Sequence, residues 1–419
     1  MRIGMLVIGS ELLQGKISDA NTPWFAQFLR SWNLTLDQAL ISHDTPAALA
    51  AALGQLSRDC DLIICSGGLG PTADDITKLV IGDFYGRPLT TTPGMRAVAR
   101  GNYQRQGREL APEHPYNFAP EGFQLLDNPS GFAPGLFYSH QGRTLLAFPG
   151  VPKEFRDMLS AHFPRLVAPL LPQQGLLSLR TFRTRGVPEE KIFFELCPGL
   201  WEKLEAFGAV SSLPQIMGVD VGVSVRASDQ IELDEKILAV REAIQTSPLA
   251  PYVWHEGAES LEELIVARAQ SKQMTVSFAE SCTGGLCSHR LTNISGSSQV
   301  FWGSVVSYDN SVKQNILDVR EESLKRFGAV SEEVAKEMAL GVRTKLGTDV
   351  GISLTGIAGP GGGSELKPVG TVWIGIATKE TLVAKKFNFR GDRETLKLRF
   401  SQMALYELLD VVTCKDLEK

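Results

Sequence analysis

The first 168 residues alternate short apolar runs with amphipathic stretches, which is the pattern of an α/β sheet. Ile3 to Ile8 contains no polar side chain and predicts a strand that is buried on both faces. Thr22-Pro23 predicts a helix start, with the Thr22 hydroxyl as N-cap and the proline in the first turn. The buried face of that helix repeats at i, i+3, i+4 and i+7, at Phe25, Phe28, Leu29 and Trp32.

A second apolar run, Asp61 to Cys65, predicts another buried strand. It leads into a glycine-rich turn, Ser66-Gly67-Gly68-Leu69-Gly70-Pro71-Thr72, and a helix is expected to begin near Asp74-Asp75. In an open α/β sheet, ligands bind at the carboxyl ends of the strands, where such turns lie. The pattern therefore predicts a ligand site at this edge of the sheet.

Residues 169–254 show a different pattern, which predicts a small α+β connector domain. Valine occupies every second position from Val219 to Val225, as is typical of a half-exposed strand. Another strand is expected from Leu179 to Thr184, a short helix from Glu189 to Leu196, and a longer helix from Ile231 to Ile244. The following stretch, residues 247–257, contains two prolines and is the best linker candidate.

The remaining residues predict a further α/β domain. An apolar helical stripe from Leu261 to Ala269 precedes a strand, Met274 to Phe278, which ends at Ala279-Glu280-Ser281. A later helix is expected to be capped by Ser331, and another strand to run from Val350 to Leu354. The predicted class is therefore α/β, with domains at 1–168, 169–254 and 255–419.

Composition narrows the class of protein. The chain has 419 residues, 43% hydrophobic and 21% charged, as in globular proteins. No apolar run is long enough to span a bilayer, and the N-terminal run lacks a signal peptide's h-region and cleavage site, so a cytoplasmic location is predicted. The net charge is −5 without a strongly basic tract, so no nucleic-acid partner is expected.

The cysteines are scattered along the chain, which predicts reduced thiols. Together with the dispersed histidines, they argue against a zinc centre. The cysteines are Cys60, Cys65, Cys197, Cys282, Cys287 and Cys414.

Several polar residues of the C-terminal domain have the chemistry needed to attack an amide. Such a reaction needs a nucleophile, a base and donors for the developing oxyanion. Ser281 and Ser298 are candidate nucleophiles, and a buried, neutral Lys313 can take the serine proton. Taken singly, each residue has a plainer explanation, because serines before helices usually cap them and a tyrosine such as Tyr308 beyond a strand is usually solvated. Only the combination favours catalysis.

Two backbone turns offer amides that can hold a phosphate or an oxyanion. The first is expected at a helix start and consists of Thr283, Gly284 and Gly285. The second follows a predicted strand and contains Thr355, Gly356 and Gly359.

The C-terminal domain closely resembles the CinA C-terminal family over about residues 258–412. The resemblance rests on ordered motifs: Ala279-Glu280-Ser281-Cys282-Thr283-Gly284-Gly285, Gly296-Ser297-Ser298, Val306-Ser307-Tyr308-Asp309-Asn310 with Lys313, Gly328-Ala329-Val330-Ser331, Thr355-Gly356-Ile357-Ala358-Gly359-Pro360, Lys367-Pro368-Val369-Gly370-Thr371-Val372 and Gly391-Asp392-Arg393. That family is nicotinamide-nucleotide amidase, which removes ammonia from nicotinamide mononucleotide to give nicotinic acid mononucleotide. The resemblance implies a serine–lysine mechanism without a metal or an organic cofactor.

The same resemblance implies which residues line the catalytic centre: Ser281, Ser298, Tyr308 and Lys313. It leaves open whether Ser298 or Ser281 attacks, with Lys313 as the base and Tyr308 as a hydrogen-bond relay. Arg393 suits a contact with a phosphate or a carboxylate.

The N-terminal domain resembles the molybdopterin-binding-like domain of the CinA family. The resemblance rests on Gly9-Ser10-Glu11-Leu12-Leu13, Asp19-Ala20-Asn21-Thr22, the segment from Ser66 to Asp75, and Phe148-Pro149-Gly150-Val151-Pro152. It implies hydrolysis of ADP-ribose to AMP and ribose 5-phosphate with a divalent metal. The implied substrate contacts are Gly67, Gly68, Gly70 and Thr72. Glu11, Asp74 and Asp75 are the implied metal ligands, although Asp74-Asp75 has an alternative role as a helix cap.

This chain departs from that family at two places in the N-terminal domain. Phe118 and Phe132 stand where a glutamine and a threonine are usual, which removes two polar contacts from the expected pocket wall.

The resemblance to the CinA family also implies a homodimer. An alternative from another class is a non-catalytic pterin- or nucleotide-binding regulator of DNA uptake or damage response. A molybdenum-cofactor enzyme is a third alternative, weakened by the C-terminal motifs.

Overall fold

The computed structural model describes residues 1–171 and 175–413, and the chain divides into two compact units. One unit comprises Met1–Ser178 and Val225–Ile237, and the other comprises Leu179–Ser224 and the chain from Leu238 onward. Cys414 lies outside the described residues. The three predicted domain ranges stay a prediction. Within the described ranges, no helix has the length and apolar character needed to cross a membrane.

The N-terminal part of the first unit is built on a mixed sheet. The strands of residues 1–171 are β1 (Ile3–Ile8), β2 (Gln38–Ser42), β3 (Leu62–Ser66), β4 (Leu89–Thr90), β5 (Ala119–Pro120), β6 (Gln124–Leu126), β7 (Gly135–His140) and β8 (Arg143–Phe148). The order in the main sheet is β2-β1-β3-β8-β7-β6, while β4 pairs with β5 separately. The first four strands in that order are parallel, and β7 is antiparallel to both β8 and β6.

Helices cover both faces of this sheet. They are α1 (Ser10–Leu13), α2 (Asn21–Arg30), α3 (Pro46–Asp59), α4 (Thr77–Phe84), α5 (Pro93–Arg105) and α6 (Pro152–Leu166). Successive strand residues point to opposite faces, so Met5 packs into the core of α2 and α6 while Leu6 packs into that of α3 and α4. Burial on both faces explains why β1 lacks polar residues, as the sequence predicted.

The middle of the chain forms a four-stranded sheet in the order β10-β11-β9-β12. Its strands are β9 (Leu176–Thr184), β10 (Gly208–Gln215), β11 (Gly218–Ala227) and β12 (Val253–Glu256). The helices are α7 (Leu200–Glu205) and α8 (Gln230–Gln245), and the predicted short helix is a π-helix at Lys191–Leu196. All four valines of β11 are buried, as the alternation predicted, and Gly222 and Ala227 are buried as well. The proposed linker contains β12, so it is not structureless.

The C-terminal part of the second unit contains a five-stranded sheet. The strands are β13 (Val276–Glu280), β14 (Phe301–Val306), β15 (Val350–Gly356), β16 (Thr371–Ala377) and β17 (Leu382–Asn388). They lie in the order β14-β13-β15-β16-β17, and β13 is parallel to β14 and β15. The helices are α9 (Leu261–Ser271), α10 (Leu286–Thr292), α11 (Asn310–Leu317), α12 (Glu321–Phe327), α13 (Glu332–Leu346) and α14 (Arg393–Thr413).

The register of the parallel strands brings distant segments to one edge of this sheet. Glu280, the last residue of β13, lies opposite Val306 of β14 and Leu354 of β15. The residues that follow these three strands therefore emerge together. On one face Phe278 packs into the core with α9 and α14, and on the other Ala279 packs against α13.

Three helix starts test the capping predictions. Ser331 caps α13 as predicted, since its hydroxyl accepts a hydrogen bond from the Val334 amide. The Thr22 prediction was wrong, because α2 begins at Asn21 and the Asp19 carboxylate accepts the first amides. The helix after the glycine turn begins at Thr77 and not near Asp74-Asp75, since a turn intervenes.

Candidate active sites

Ser281 and Lys313 form a buried pair at the edge where β13 and β14 end. The Lys313 Nζ donates to the Ser281 Oγ over 3.1 Å. Lys313 is only 1% exposed and Ser281 only 9%. Because α11 starts right after β14, Lys313 reaches back from the first turn of this helix to the end of β13. The predicted serine–lysine contact thus exists for Ser281.

Two backbone carbonyls fix the amine of Lys313. It donates to the carbonyl oxygens of Ser307 at 2.6 Å and Tyr308 at 3.2 Å. A neutral amine has two N–H groups and one lone pair, so these carbonyls can take both hydrogens and leave the lone pair for the serine hydroxyl. Burial lowers the pKa of Lys313 below that of an ordinary lysine, while Cys282 and Asp309 act in the opposite direction.

The Tyr308 side chain turns away from this pair. It is 62% exposed, and its hydroxyl accepts a hydrogen bond from Arg393 Nη2 at 2.9 Å. Arg393 also donates from Nη1 to the Gly359 carbonyl at 2.6 Å. Tyr308 therefore contacts Lys313 through its backbone carbonyl, and its phenol forms part of the cavity rim with Arg393.

Ser298 lies elsewhere. It is exposed, in a short 3-10 helix at Ser297–Gln299 that precedes β14, whereas Ser281 follows β13. The two strands are parallel, with Val276 opposite Phe301 and Glu280 opposite Val306. The two serines therefore lie at opposite ends of this strand pair. Strands rise about 3.3 Å per residue, so these two ends of the sheet are roughly 15 Å or more apart. Within one chain, the structure does not bring Ser298 to Lys313.

The first predicted backbone cradle is filled by a side chain of the protein. The Glu280 carboxylate, which is fully buried, accepts from the Thr283 hydroxyl at 2.7 Å and from the Gly285 amide at 3.1 Å. The Gly284 amide donates to the Ser281 carbonyl at 3.2 Å. This corrects the expectation that the amides of Gly284 and Gly285 bind substrate, because both amides already have partners, as does the Thr283 hydroxyl. Sequence reasoning missed Glu280, although its position directly before Ser281 was a signal.

The second predicted cradle does line the cavity that contains Ser281. This cavity has a volume of about 260 Å³, and its wall includes Thr355, Gly356 and Gly359 together with Lys313 and Arg393. The Thr355 hydroxyl is directed away, since it donates to the Ala329 carbonyl at 2.7 Å. This turn therefore forms part of the cavity wall, while the Thr355 hydroxyl is already bonded within the protein.

Cys282 also lines this cavity, directly after Ser281. It is buried, and burial raises the pKa of its thiol to about 12. A thiol with that pKa is protonated at neutral pH and is a poor nucleophile. The candidate nucleophile at this position is therefore the serine.

A larger cavity, of about 540 Å³, lies at the carboxyl ends of the parallel strands in the N-terminal sheet. Most of the predicted ligand contacts line it: Glu11, Gly67, Gly68, Gly70, Asp74 and Asp75. Glycine is required in this turn, because a Cβ at Gly67 would lie 2.3 Å from the Ile8 carbonyl oxygen, and both Gly67 and Gly68 have positive φ. Thr72 is not part of the lining, and both its amide and its hydroxyl donate to Asp75.

The carboxylates in this cavity do not form a ready metal site. Asp75 accepts from Thr72, and Asp44 accepts from both the amide and the hydroxyl of Ser10. Across residues 1–171 and 175–413, no group of three or more His, Cys, Asp or Glu side chains is arranged to hold a metal ion. The side chains of Glu11, Asp74 and Asp75, as they stand, do not fit a bound divalent ion. The alternative, that Asp74-Asp75 caps the helix, is not seen either, since α4 has no side-chain cap.

Aromatic side chains form one wall of this cavity. Phe132 and Tyr116 line it, and Tyr103 packs behind them with ring centroids at 4.8 and 6.2 Å. Phe132 thus places an aromatic ring in the cavity wall. Phe118 does not line the cavity, but its carbonyl accepts a hydrogen bond from Lys78 at 3.3 Å.

Lys78 is a buried residue that the sequence did not single out. Its Nζ donates to the Pro115 carbonyl at 2.9 Å and lies 5.6 Å from the centre of the Tyr116 ring. Burial lowers its pKa to about 8, with Asp75 acting in the opposite direction. Lys78 therefore ties α4 to the segment that carries the aromatic wall.

Comparison with known proteins agrees with the two-part organisation. Residues 4–168 match the family model of a probable molybdopterin binding domain, and residues 258–412 match that of the CinA C-terminal domain. A CinA-like protein of Salinibacter ruber is 38% identical over 415 residues, covering 97% of this chain and 98% of that protein. A CinA-like protein of Syntrophus aciditrophicus is 37% identical and covers 97% of each chain.

A solved structure is also similar in sequence to part of the chain. It is that of the competence/damage inducible protein CihA from Agrobacterium tumefaciens, with 36% identity and a TM-score of 0.36. The match covers 38% of this chain and 98% of the solved one.

Proposed function

Because the chain belongs to the CinA family, as its near full-length relatives show, we propose that its C-terminal site is an amidase in which Ser281 is the nucleophile and Lys313 is the base. The observation that carries the proposal is the 3.1 Å contact between the buried Lys313 Nζ and Ser281 Oγ, two residues that line one cavity. A serine hydroxyl is a weak nucleophile until an adjacent base takes its proton, and a lysine with a lowered pKa can do so.

The reaction follows from these contacts. Lys313, in its neutral form, accepts the Ser281 proton as the oxygen bonds to the amide carbonyl carbon. The lysine then returns that proton to the departing nitrogen, so ammonia leaves and an acyl-serine remains. Water attacks the acyl-serine, Lys313 takes a proton from the water, and the serine recovers its hydrogen as the acid leaves. The carbonyls of Ser307 and Tyr308 hold the amine in place throughout.

The proposed substrate is nicotinamide mononucleotide, which carries both an amide and a phosphate. Arg393 lies at the rim of the cavity, and two of its nitrogens bond to Tyr308 and Gly359. Its remaining N–H groups suit a phosphate, and the backbone of the turn from Thr355 to Gly359 adds polar surface. Neither a metal nor an organic cofactor enters this mechanism.

Ammonia release from nicotinamide mononucleotide tests the proposal. Lys313→Met and Ser281→Ala should each lower kcat by at least about 1,000-fold, since each removes one member of a coupled pair. Ser298→Ala is the matched control, because this serine is exposed and distant from Lys313, and it should retain wild-type turnover. Loss of activity in Ser298→Ala with retention in Ser281→Ala would reverse the assignment. A wild-type chain that releases no ammonia would remove nicotinamide mononucleotide as the substrate.

A second candidate function concerns the N-terminal cavity, and it is favoured by the cavity's size and its glycine turn. We propose that it binds a nucleoside diphosphate compound such as ADP-ribose, with the Gly67–Gly70 backbone near the pyrophosphate. AMP formation from ADP-ribose should be measured with and without added divalent ions. Binding without AMP formation would instead support the regulatory alternative, in which this domain recognises a nucleotide or pterin without turnover.

A further inference from the structure

The carboxylate of Glu280 receives an unusual number of hydrogen bonds for a side chain outside the catalytic pair. Oε2 accepts from the Thr283 hydroxyl and from the amides of Gly285 and Cys287, at 2.7 to 3.1 Å. Oε1 accepts from the amide and the hydroxyl of Ser288, at 3.0 and 2.7 Å. Five donors thus converge on one fully buried group.

A buried carboxylate is expensive, because it gives up its hydration. In the described part of the chain, no Lys, Arg or His lies within ion-pair distance of Glu280, so hydrogen bonds alone compensate the charge. A neutral glutamine could not replace it. Only one of its two terminal atoms accepts, and its NH₂ group would face N–H donors from either Gly285 or Ser288. The arrangement therefore needs a carboxylate at this position.

The backbone of Glu280 connects the same residue to both members of the catalytic pair. Ser281 follows it directly, and the Ser281 amide donates to the Leu354 carbonyl at 3.0 Å. The Glu280 carbonyl accepts from the Ser307 amide at 2.8 Å, and the Ser307 carbonyl in turn accepts from Lys313 at 2.6 Å. Glu280 thus lies between the serine and the lysine in one continuous set of contacts.

We infer that Glu280 is a positioning residue. Its carboxylate fixes the backbone of residues 281–288, which include the start of α10, so that Ser281 Oγ faces Lys313 Nζ. This inference rests on the proposed function of the Ser281–Lys313 pair. Glu280 itself does not line the cavity. The hydrogen bonds of its carboxylate go to residues 283–288 and not to the Thr355–Gly359 turn or Arg393, so binding of substrate should survive its replacement.

Two readouts separate this role from a purely structural one. In Glu280→Gln, kcat for ammonia release should fall about 100-fold while KM changes less than about threefold, because a small displacement of a nucleophile costs rate and not binding. The second readout needs no substrate. A fluorophosphonate should label Ser281 in the wild-type chain, detected by intact mass, and should label Glu280→Gln about 100-fold more slowly. Ser281→Ala should not be labelled.

Milder variants keep the test valid if Glu280→Gln does not fold. Thr283→Val removes one donor to the carboxylate without changing the side-chain shape and should slow labelling about fivefold or more. Ser323→Ala is the matched control, because this buried hydroxyl also donates to a carboxylate, that of Glu337 at 2.7 Å, but lies outside the cavity lining. It should lower the melting temperature without slowing labelling.

The outcomes are distinct. Labelling of the wild-type chain without turnover of nicotinamide mononucleotide would remove the proposed substrate and leave the role of Glu280 intact. Wild-type labelling rates in a folded Glu280→Gln would overturn the inference, as would equal slowing in Thr283→Val and Ser323→Ala. Unchanged labelling in Thr283→Val would also count against it.

Discussion

Replacement of Lys78 by methionine should change how the stability of the first unit depends on pH. Lys78 is 6% exposed, and burial lowers its pKa from 10.5 to about 8. Between these two values the unfolded chain binds more protons than the folded one, so the free energy of unfolding rises with pH. The cost of burying the charged lysine is fully present below about pH 8 and is lost as the pH approaches 10.5.

The size of the effect follows from the two pKa values. A shift of about 2.5 units corresponds to roughly 3 kcal/mol. Between pH 7 and pH 9.5, about 2 kcal/mol of this cost should be relieved in the wild-type chain. Lys78→Met lacks the titrating group, so this contribution should be absent from its pH dependence.

Pulse proteolysis in urea, with fragments identified by mass, measures the unfolding free energy of this unit within the full chain. The quantity to compare is the difference between wild-type and variant at each pH, since other groups titrate in both. Lys153→Met is the matched control, because this lysine belongs to the same unit but is 75% exposed in its side chain. If wild-type and Lys78→Met gain equally between pH 7 and pH 9.5, the burial argument is refuted.

Three further predictions concern the C-terminal cavity. The rate of ammonia release should rise with pH, with an apparent pKa below the usual 10.5, and should then level off, because burial lowers the pKa of Lys313. A stopped assay from pH 6 to 10.5 that shows no plateau would contradict this prediction. Arg393→Gln should raise KM about tenfold with a smaller effect on kcat, since it removes a charged phosphate contact, and initial-rate kinetics would show otherwise if kcat alone fell. Gly359→Ala should lower kcat/KM at least about tenfold, because a Cβ there would lie 2.7 Å from Val369 and φ is +71°; wild-type kinetics would refute this.

The fold was predictable where a local pattern sufficed. The buried strand at Ile3–Ile8, the valine alternation of β11 and the Ser331 cap depend on residues near one another in sequence. The start of α2 was misplaced because Asp19 competes with Thr22 for the first amides, and sequence alone cannot rank two neighbouring caps.

The candidate site was predictable as a list of residues but not as a geometry. Ser281 and Ser298 look equivalent in sequence, since both lie beside glycines and a strand. Only the parallel register of β13 and β14 assigns one of them to the edge that holds Lys313. The glycine amides after Ser281 were expected to be free for a ligand, but the Gly285 amide donates to the Glu280 carboxylate and the Gly284 amide donates to the Ser281 carbonyl.

The buried thiol of Cys282 has a consequence for the environments in which the site can work. Because burial raises the pKa of this thiol to about 12, the thiol is protonated at pH 7. The thiolate, and not the thiol, is the nucleophile that reacts with peroxide and alkylating reagents. A cavity that places a cysteine beside its nucleophile should therefore tolerate oxidative stress, and iodoacetamide should leave its activity intact.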